Sequence, residues 1–356
     1  MRTKRAKTKY TVADVVRTGT VAFMQRYCSR NFIKVKKSSR KEVYVQAIAK
    51  HILENVGTIL SRLMIWDVEI VRDLVRIGPG KALAVDVPCH TYAQFSLILL
   101  SSYDEKNDCA WYVMPNELRE AIGSKAEELL LDEEYRKKSE LLQFVQGLKT
   151  IYNTVYTWDA HADFERCYPE YSGDNEVWRE LMLSPNSMYD IEIYRDNPDR
   201  GFLRCPMEDF VLPDIIDVLP SFEQLRESRK QYSRQEILDA GRMPFPIFTC
   251  EPALRLKEHL SVDWGIDDPE LINHVMFDFW LFSQPIYDKP DKAIQLVEDY
   301  EDNGEDLKDK LIKFVEDYVN ATPCWALCGN SIKGNYSGTP DLTINIRKRE
   351  AFATLI

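Results

Sequence analysis

The apolar runs Phe95-Ser-Leu-Ile-Leu-Leu-Ser-Ser-Tyr103 and Cys109-Ala-Trp-Tyr-Val-Met114 flank the polar stretch Asp104-Glu-Lys-Asn-Asp108. Two short strand-like runs around a polar turn predict a β-hairpin. Ahead of it, Val43, Ala47, Ile48, Ile52, Val56, Ile59, Leu60 and Leu63 keep the three-and-four spacing of a helix with one buried side. Trp66 to Ile77 repeats that pattern until Gly78-Pro79-Gly80 stops it, since proline lacks the N–H a helix needs and glycine loses entropy in one. Pro88 to Phe95 leaves room for a short third helix. Pro115 ends the second strand, and Asn116 is expected to cap a helix running to Ile122. Helix, helix, short helix and hairpin, over residues 43–123, is the order of a winged-helix-like unit.

Residues 1–42 read as a basic arm with short helices. Residues 1–41 carry thirteen Lys and Arg against one acid, Asp14, a net of +12 in a chain whose total is −11. The remaining residues therefore carry −23, a basic head on an acidic body. Thr11-Val-Ala-Asp14 has the form of a capping box, so a helix is expected to begin there, with a second around Thr20 to Tyr27. Phe32-Ile-Lys-Val-Lys-Lys-Ser-Ser-Arg-Lys41 reads as an exposed basic loop.

A head of this kind can neutralise phosphates. The candidate nucleic-acid-binding residues are Arg2, Lys4, Arg5, Lys7, Lys9, Arg26, Arg30, Lys34, Lys36, Lys37, Arg40 and Lys41. The competing readings are that the head docks on its own acidic body or only keeps the protein soluble. Base reading by the winged-helix-like unit itself is not expected. Residues 88–98 contain no Lys or Arg, and the hairpin turn holds three acids against one lysine.

Ser124 to Tyr152 reads as one long helix linking this unit to a helical domain over residues 153–335, followed by a tail over 336–356. Met188 to Tyr194 and Phe202 to Cys205 predict a second small hairpin, and Ser221–Ala240, Pro252–Leu260, Pro269–Phe282, Pro290–Tyr300 and Glu305–Tyr318 predict helices. The expected fold is α+β and mostly α. Glu298 to Asp317 hold nine acids against three lysines, an acidic face that a protein partner could take.

The chemistry-bearing patterns are weak. His161 and Asp163 are two ligands without a third, and a helix with solvated polar residues accounts for them better. Asp190 and Glu192 share a strand face as in metal-dependent nucleases, but Tyr194 and Arg195 stand where the catalytic lysine belongs. Cys324 and Cys328 with His259 or His274 lack a second ligand pair for zinc. Ile77-Gly-Pro-Gly-Lys81 lacks the spacing of a phosphate loop, and no nucleophile elbow or dinucleotide glycine pattern occurs. No cofactor, metal or catalytic residue is expected.

No apolar window approaches the ~18 residues that span a bilayer, and no apolar stretch follows the basic N-terminus as a signal peptide requires. Eight scattered cysteines without a Cys-x-x-Cys pair fit a reducing compartment, so a cytoplasmic location is expected.

The phrases Tyr112-Val-Met-Pro-Asn-Glu-Leu118, Ile237-Leu-Asp-Ala-Gly241 and Asn320-x-Thr-Pro-x-Trp-x-Leu-x-Gly329 resemble those of a group of poorly characterised bacterial cytosolic proteins. Many of that group end in a SEC-C zinc motif, which this chain lacks. The resemblance implies no activity. The role expected is that of a non-enzymatic interaction or regulatory protein contacting RNA, DNA or a nucleic-acid-bound partner through residues 1–41. Alternatives are a protein-binding adaptor using the acidic face and a metal-dependent hydrolase at Asp190 and Glu192.

Overall fold

The computed structural model describes residues 3–5, 10–85, 99–104, 109–152, 154–183, 190–193, 201–204, 229–242, 245–283, 305–323 and 331. The protein is α+β and mostly helical, with two small antiparallel sheets among the described residues. They divide into two compact units, one drawn from Met1–Leu142 and Arg179–Met188, the other from Gln143–Trp178 and Tyr189–Ile356.

The first unit begins with strand β1 (Thr3–Arg5) and helices α1 (Val12–Arg17), α2 (Val21–Arg30), α3 (Lys41–Glu54), α4 (Val56–Leu60) and α5 (Ile65–Arg76). It continues with strands β2 (Lys81–Val85), β3 (Leu100–Asp104) and β4 (Cys109–Val113), then helices α6 (Asn116–Ile122) and α7 (Lys125–Leu131). The capping box forms as the sequence requires: the Thr11 hydroxyl accepts from the Asp14 N–H at 3.1 Å, and the Asp14 carboxylate accepts from the Thr11 N–H at 3.0 Å. Val12, Val15 and Val16 are buried where α1 packs on α3, and Glu117 of α6 accepts from the Val12 N–H at 2.6 Å. The head is thus part of the folded unit.

The sheet order is β1-β2-β4-β3, all pairs antiparallel. The predicted hairpin is present, with Asp104 opposite Cys109 and Leu100 opposite Val113. Strands β1 and β2 were not expected, because each gains its hydrogen bonds from residues far away in the chain rather than from local alternation. The stretch read as the third helix, residues 88–95, and the turn residues 105–108 lie outside the described residues.

Between α3 and Tyr152, three boundaries differ from expectation. The Val43–Leu63 helix breaks at Asn55, whose side-chain amide donates to the His51 carbonyl at 2.8 Å, offering the backbone a local alternative to another helical turn. The Ser124–Tyr152 helix divides into α7 and α8 (Glu133–Tyr152) at Asp132. There the Asp132 carboxylate accepts from the N–H groups of Glu134 at 2.8 Å and Tyr135 at 3.1 Å, capping a new start. At α6 the cap is Pro115, and Asn116 is already the first helical residue.

Within this unit α8 is tied down by Tyr135, whose hydroxyl donates to the Leu63 carbonyl at 2.9 Å, and by Ser139, which accepts from the Ile65 N–H at 2.9 Å. Burial pushes the Tyr135 phenol far above its ordinary range, so it remains a donor at any physiological pH. Residues of α8 from Gln143 onward belong to the second unit.

That unit contains strand β5 (Thr154–Tyr156), helix α9 (Thr157–Cys167) and a short 3-10 turn, Pro169–Tyr171. Next come α10 (Asn175–Leu183), which the two units share, strands β6 (Asp190–Ile193) and β7 (Gly201–Arg204), and α11 (Arg234–Ala240). The second predicted hairpin is β6 with β7, joined on its other edge by the unexpected β5. Helices α12 (Glu251–Val262), α13 (Pro269–Phe282) and α14 (Glu305–Ala321) enclose a core of Leu256, Leu260, Ile272, Phe279, Trp280, Leu311 and Val315. Proline sits in the first turn of α12 and α13, where its missing N–H has no partner to lose. Residues 205–228 and 284–304, which hold the first part of the predicted helix Ser221–Ala240 and all of Pro290–Tyr300, lie outside the described residues; residues 229–233 are not helical, and the helix begins only at Arg234, where Ser233 and Glu236 form a capping box. No helix among the described residues is long and apolar enough to cross a membrane.

Candidate nucleic-acid interface

The cations of the head divide sharply by surroundings. Arg17, not one of the candidate contacts, is held by Asp14 at 2.6 Å and by Glu42 at 3.0 Å. The Thr11 hydrogen bonds, with Arg17 behind them, hold the Asp14 carboxyl below its usual range, and Arg17 does the same for Glu42. Lys4 is exposed on β1 with its Nζ 3.7 Å above the Trp111 ring, a cation–π contact that occupies one face of the ammonium. Arg26, Lys34, Lys36, Lys37, Arg40 and Lys41 are all exposed, and among the described residues none has an ion-pair partner. Arg5 and Arg30 lie on β1 and α2 with only their backbone described, and Arg2, Lys7 and Lys9 lie outside the described residues.

Five of the six unpaired cations fall on the α2–α3 connection or the first residue of α3. The connection is held from inside. Tyr44, buried on α3, donates its hydroxyl to the Lys36 carbonyl at 2.9 Å, and the Gln25 amide donates to the Lys37 carbonyl at 3.2 Å. The Ser39 N–H closes a turn on the Lys36 carbonyl at 2.9 Å. The backbone therefore turns its carbonyls to the protein while the lysine heads stay in water, a placement suited to phosphates approaching from solvent.

Sequence reasoning placed this loop correctly and missed its aromatic. Phe32 is 91% exposed and has a φ of 56°, in the left-handed region. Its position follows from how α2 ends. The Ile33 N–H returns to the Cys28 carbonyl at 2.8 Å and the Phe32 N–H to the Ser29 carbonyl at 3.4 Å, the Schellman pattern, which puts Phe32 where glycine ordinarily sits. The usable signal was the lack of any glycine between Gly19 and Gly57, which forces a side-chain-bearing residue into that turn.

The other candidates go elsewhere. The prediction of solvated polar residues at His161 and Asp163 is corrected: Asp163 is 1% exposed, paired with Arg166 at 3.0 Å and Arg229 at 3.3 Å, and His161 stacks on Trp178 at 5.2 Å. Asp163 turned inward because it lies on the same face of α9 as buried Ala160, Phe164 and Cys167. His259 has both ring nitrogens engaged, Nδ1 with Asp263 at 2.5 Å and Nε2 with the Trp264 indole N–H at 3.2 Å, so neither lone pair faces a metal. Asp263 in turn accepts from Lys310 of α14 at 2.7 Å. Lys81 begins β2, pairing with Arg5, instead of cradling a phosphate. Asp190 and Glu192 lie on β6 as expected, with side chains outside the described set; Cys324 and Cys328 lie outside it altogether. Among the described side chains Cys28, Cys167 and Cys250 are free thiols. Comparison with known proteins finds no matching family model, no similar curated protein and no similar solved structure.

Proposed function

We propose that this chain is a non-enzymatic interaction or regulatory protein of the bacterial kind its sequence phrases resemble, contacting nucleic acid or a nucleic-acid-bound partner through its basic head. The winged-helix-like unit, in this reading, is the scaffold that holds the head. The observation that carries the reading is the row of exposed cations Lys34, Lys36, Lys37, Arg40 and Lys41, unpaired among the described residues, on a connection pinned by Tyr44 and Gln25, in a chain that is otherwise strongly acidic. Five neighbouring cations without carboxylates among the described residues of an acidic protein cost self-complementarity, and a polyanion offsets it.

Deleting residues 1–41 is a poor test, because it removes β1, α1 and α2 from the folded unit. Replacing Lys34, Lys36, Lys37 and Arg40 together with glutamine leaves the buried side chains untouched. The expected result is weaker binding to RNA and DNA oligonucleotides, with the slope of log K against log salt reduced by about 3, roughly 0.7 for each lost phosphate contact on a single strand. Unchanged affinity and slope would sink the proposal.

A further inference from the structure

We infer that the nucleic acid this surface takes is single-stranded, with a base stacked on the ring of Phe32; the inference rests on the reading just given and names its substrate class. Phe32 is the most exposed of the large hydrophobic side chains among the described residues. It occupies the one turn among the described residues of the head in which a side chain is conformationally unfavourable, and glycine would fill that turn without strain. A phenylalanine there gains nothing in packing, being almost wholly in water. The strain and the exposure together point to a role for the ring outside the protein.

The surroundings select the ligand. An aromatic face next to a run of cations is the pairing that single-strand binders use, the cations following the backbone and the ring taking a base. Lys34 and Lys36 are exposed, while Ile33 and Val35 between them are half-buried, so one apolar ring stands out of a cationic surface. A duplex keeps its bases stacked on one another and presents no face to the ring. An anionic lipid surface is matched by a broad apolar helix face with flanking cations, and this connection is not helical.

The test compares the intact protein with Phe32→Gly and Phe32→Trp. The probes are a labelled single-stranded oligonucleotide, a duplex of the same length, and vesicles containing phosphatidylserine. Phe32→Gly should raise the thermal midpoint, since it relieves the left-handed turn, and should still weaken single-strand binding about tenfold or more without changing the salt slope. Phe32→Trp should keep single-strand affinity, and duplex binding should be weaker than single-strand binding and indifferent to either variant. If the intact protein shows salt-dependent binding but Phe32→Gly binds the single strand as tightly, the stacking inference fails and the basic-surface reading stands. If the intact protein binds neither nucleic acid, the basic-surface reading itself fails. Phe32-dependent binding to vesicles without single-strand binding would overturn both.

Discussion

Gly147→Ala is expected to destabilise the second unit by about 3 kcal/mol or more, although alanine is the better helix former by ~1 kcal/mol in an exposed helix interior. A Cβ at Gly147 of α8 would overlap the Ile237 carbonyl oxygen of α11, and one at Gly241 would overlap the Gln143 carbonyl oxygen and lie 2.6 Å from the Gly147 nitrogen. The two backbones meet glycine to glycine, and the Gln143 amide donates to the Leu238 carbonyl at 2.8 Å across the same contact. Adding a methyl on either side separates the helices and uncovers Ile237, which is fully buried. Gly241→Ala should therefore behave alike. Gly57 of α4 has open space around it, so Gly57→Ala should leave stability unchanged or slightly raised. Urea midpoints for the three variants decide the matter; a Gly147→Ala midpoint equal to that of Gly57→Ala would show that the close crossing is absent. The same contact gives a physical reason for the phrase Ile237-Leu-Asp-Ala-Gly241: Ile237, Leu238 and Gly241 all meet α8.

Asp163→Ala should cost about 3 kcal/mol, the lower end of the usual penalty for leaving a mostly buried cation, here Arg229, without its carboxylate. Asp163 sits between Arg166 and Arg229, its Oδ1 accepting from Arg166 and its Oδ2 facing Arg229 as an ion pair without hydrogen-bond geometry. Arg229 is itself mostly buried, 13% exposed in its side chain, and packs over the Tyr152 ring at 5.5 Å. Removing the carboxylate leaves Arg229 with the Asp159 carbonyl at 3.2 Å and the Asp159 carboxylate at 4.0 Å, while Arg166, 34% exposed, keeps its bond to the Tyr232 carbonyl at 2.8 Å. Asp159 is the more distant carboxylate, 4.0 Å from Arg229 against 3.3 Å for Asp163, and so replaces it only in part. Double replacement of Asp163 and Arg229 by apolar residues should restore much of the loss, because no buried charge then lacks its partner at Arg229. Chemical denaturation of the single and double variants reads this directly. A single-variant loss below about 1 kcal/mol, the size of an exposed ion pair, would mean that the cluster is hydrated.

The local signals in the sequence were read well where a few adjacent residues decide the outcome. The capping box at Thr11 and Asp14, the antiparallel pairing of Leu100–Asp104 with Cys109–Val113, the helix Pro269–Phe282 and the stop at Gly78 and Gly80, both with positive φ, all follow from residues within one or two turns of each other. What escaped depends on distant partners. Thr3–Arg5 carries the charge of a loose arm and becomes a strand only because Lys81–Leu83 lies beside it. Asp163 looked solvated because its arginine partner Arg229 is 66 residues away in the chain, an interval no periodicity encodes. At the candidate interface the residue types were legible and their separation was not. Charge counting treats Arg17 and Lys34 alike, whereas the fold pairs the first with Glu42 and leaves the second free among the described residues. Phe32 reads only as the first residue of an exposed basic loop; the left-handed turn ending α2, which leaves its ring in water, follows from backbone bonds that residue types do not display.

The central claim is that the connection between α2 and α3 is where a nucleic acid touches this protein. Ultraviolet crosslinking of the intact chain to a single-stranded oligonucleotide, followed by peptide mapping, tests it most directly. The account predicts that the crosslinked peptides cover residues 26–41, with Phe32 the principal adduct; crosslinks confined to the second unit, or none, would contradict it.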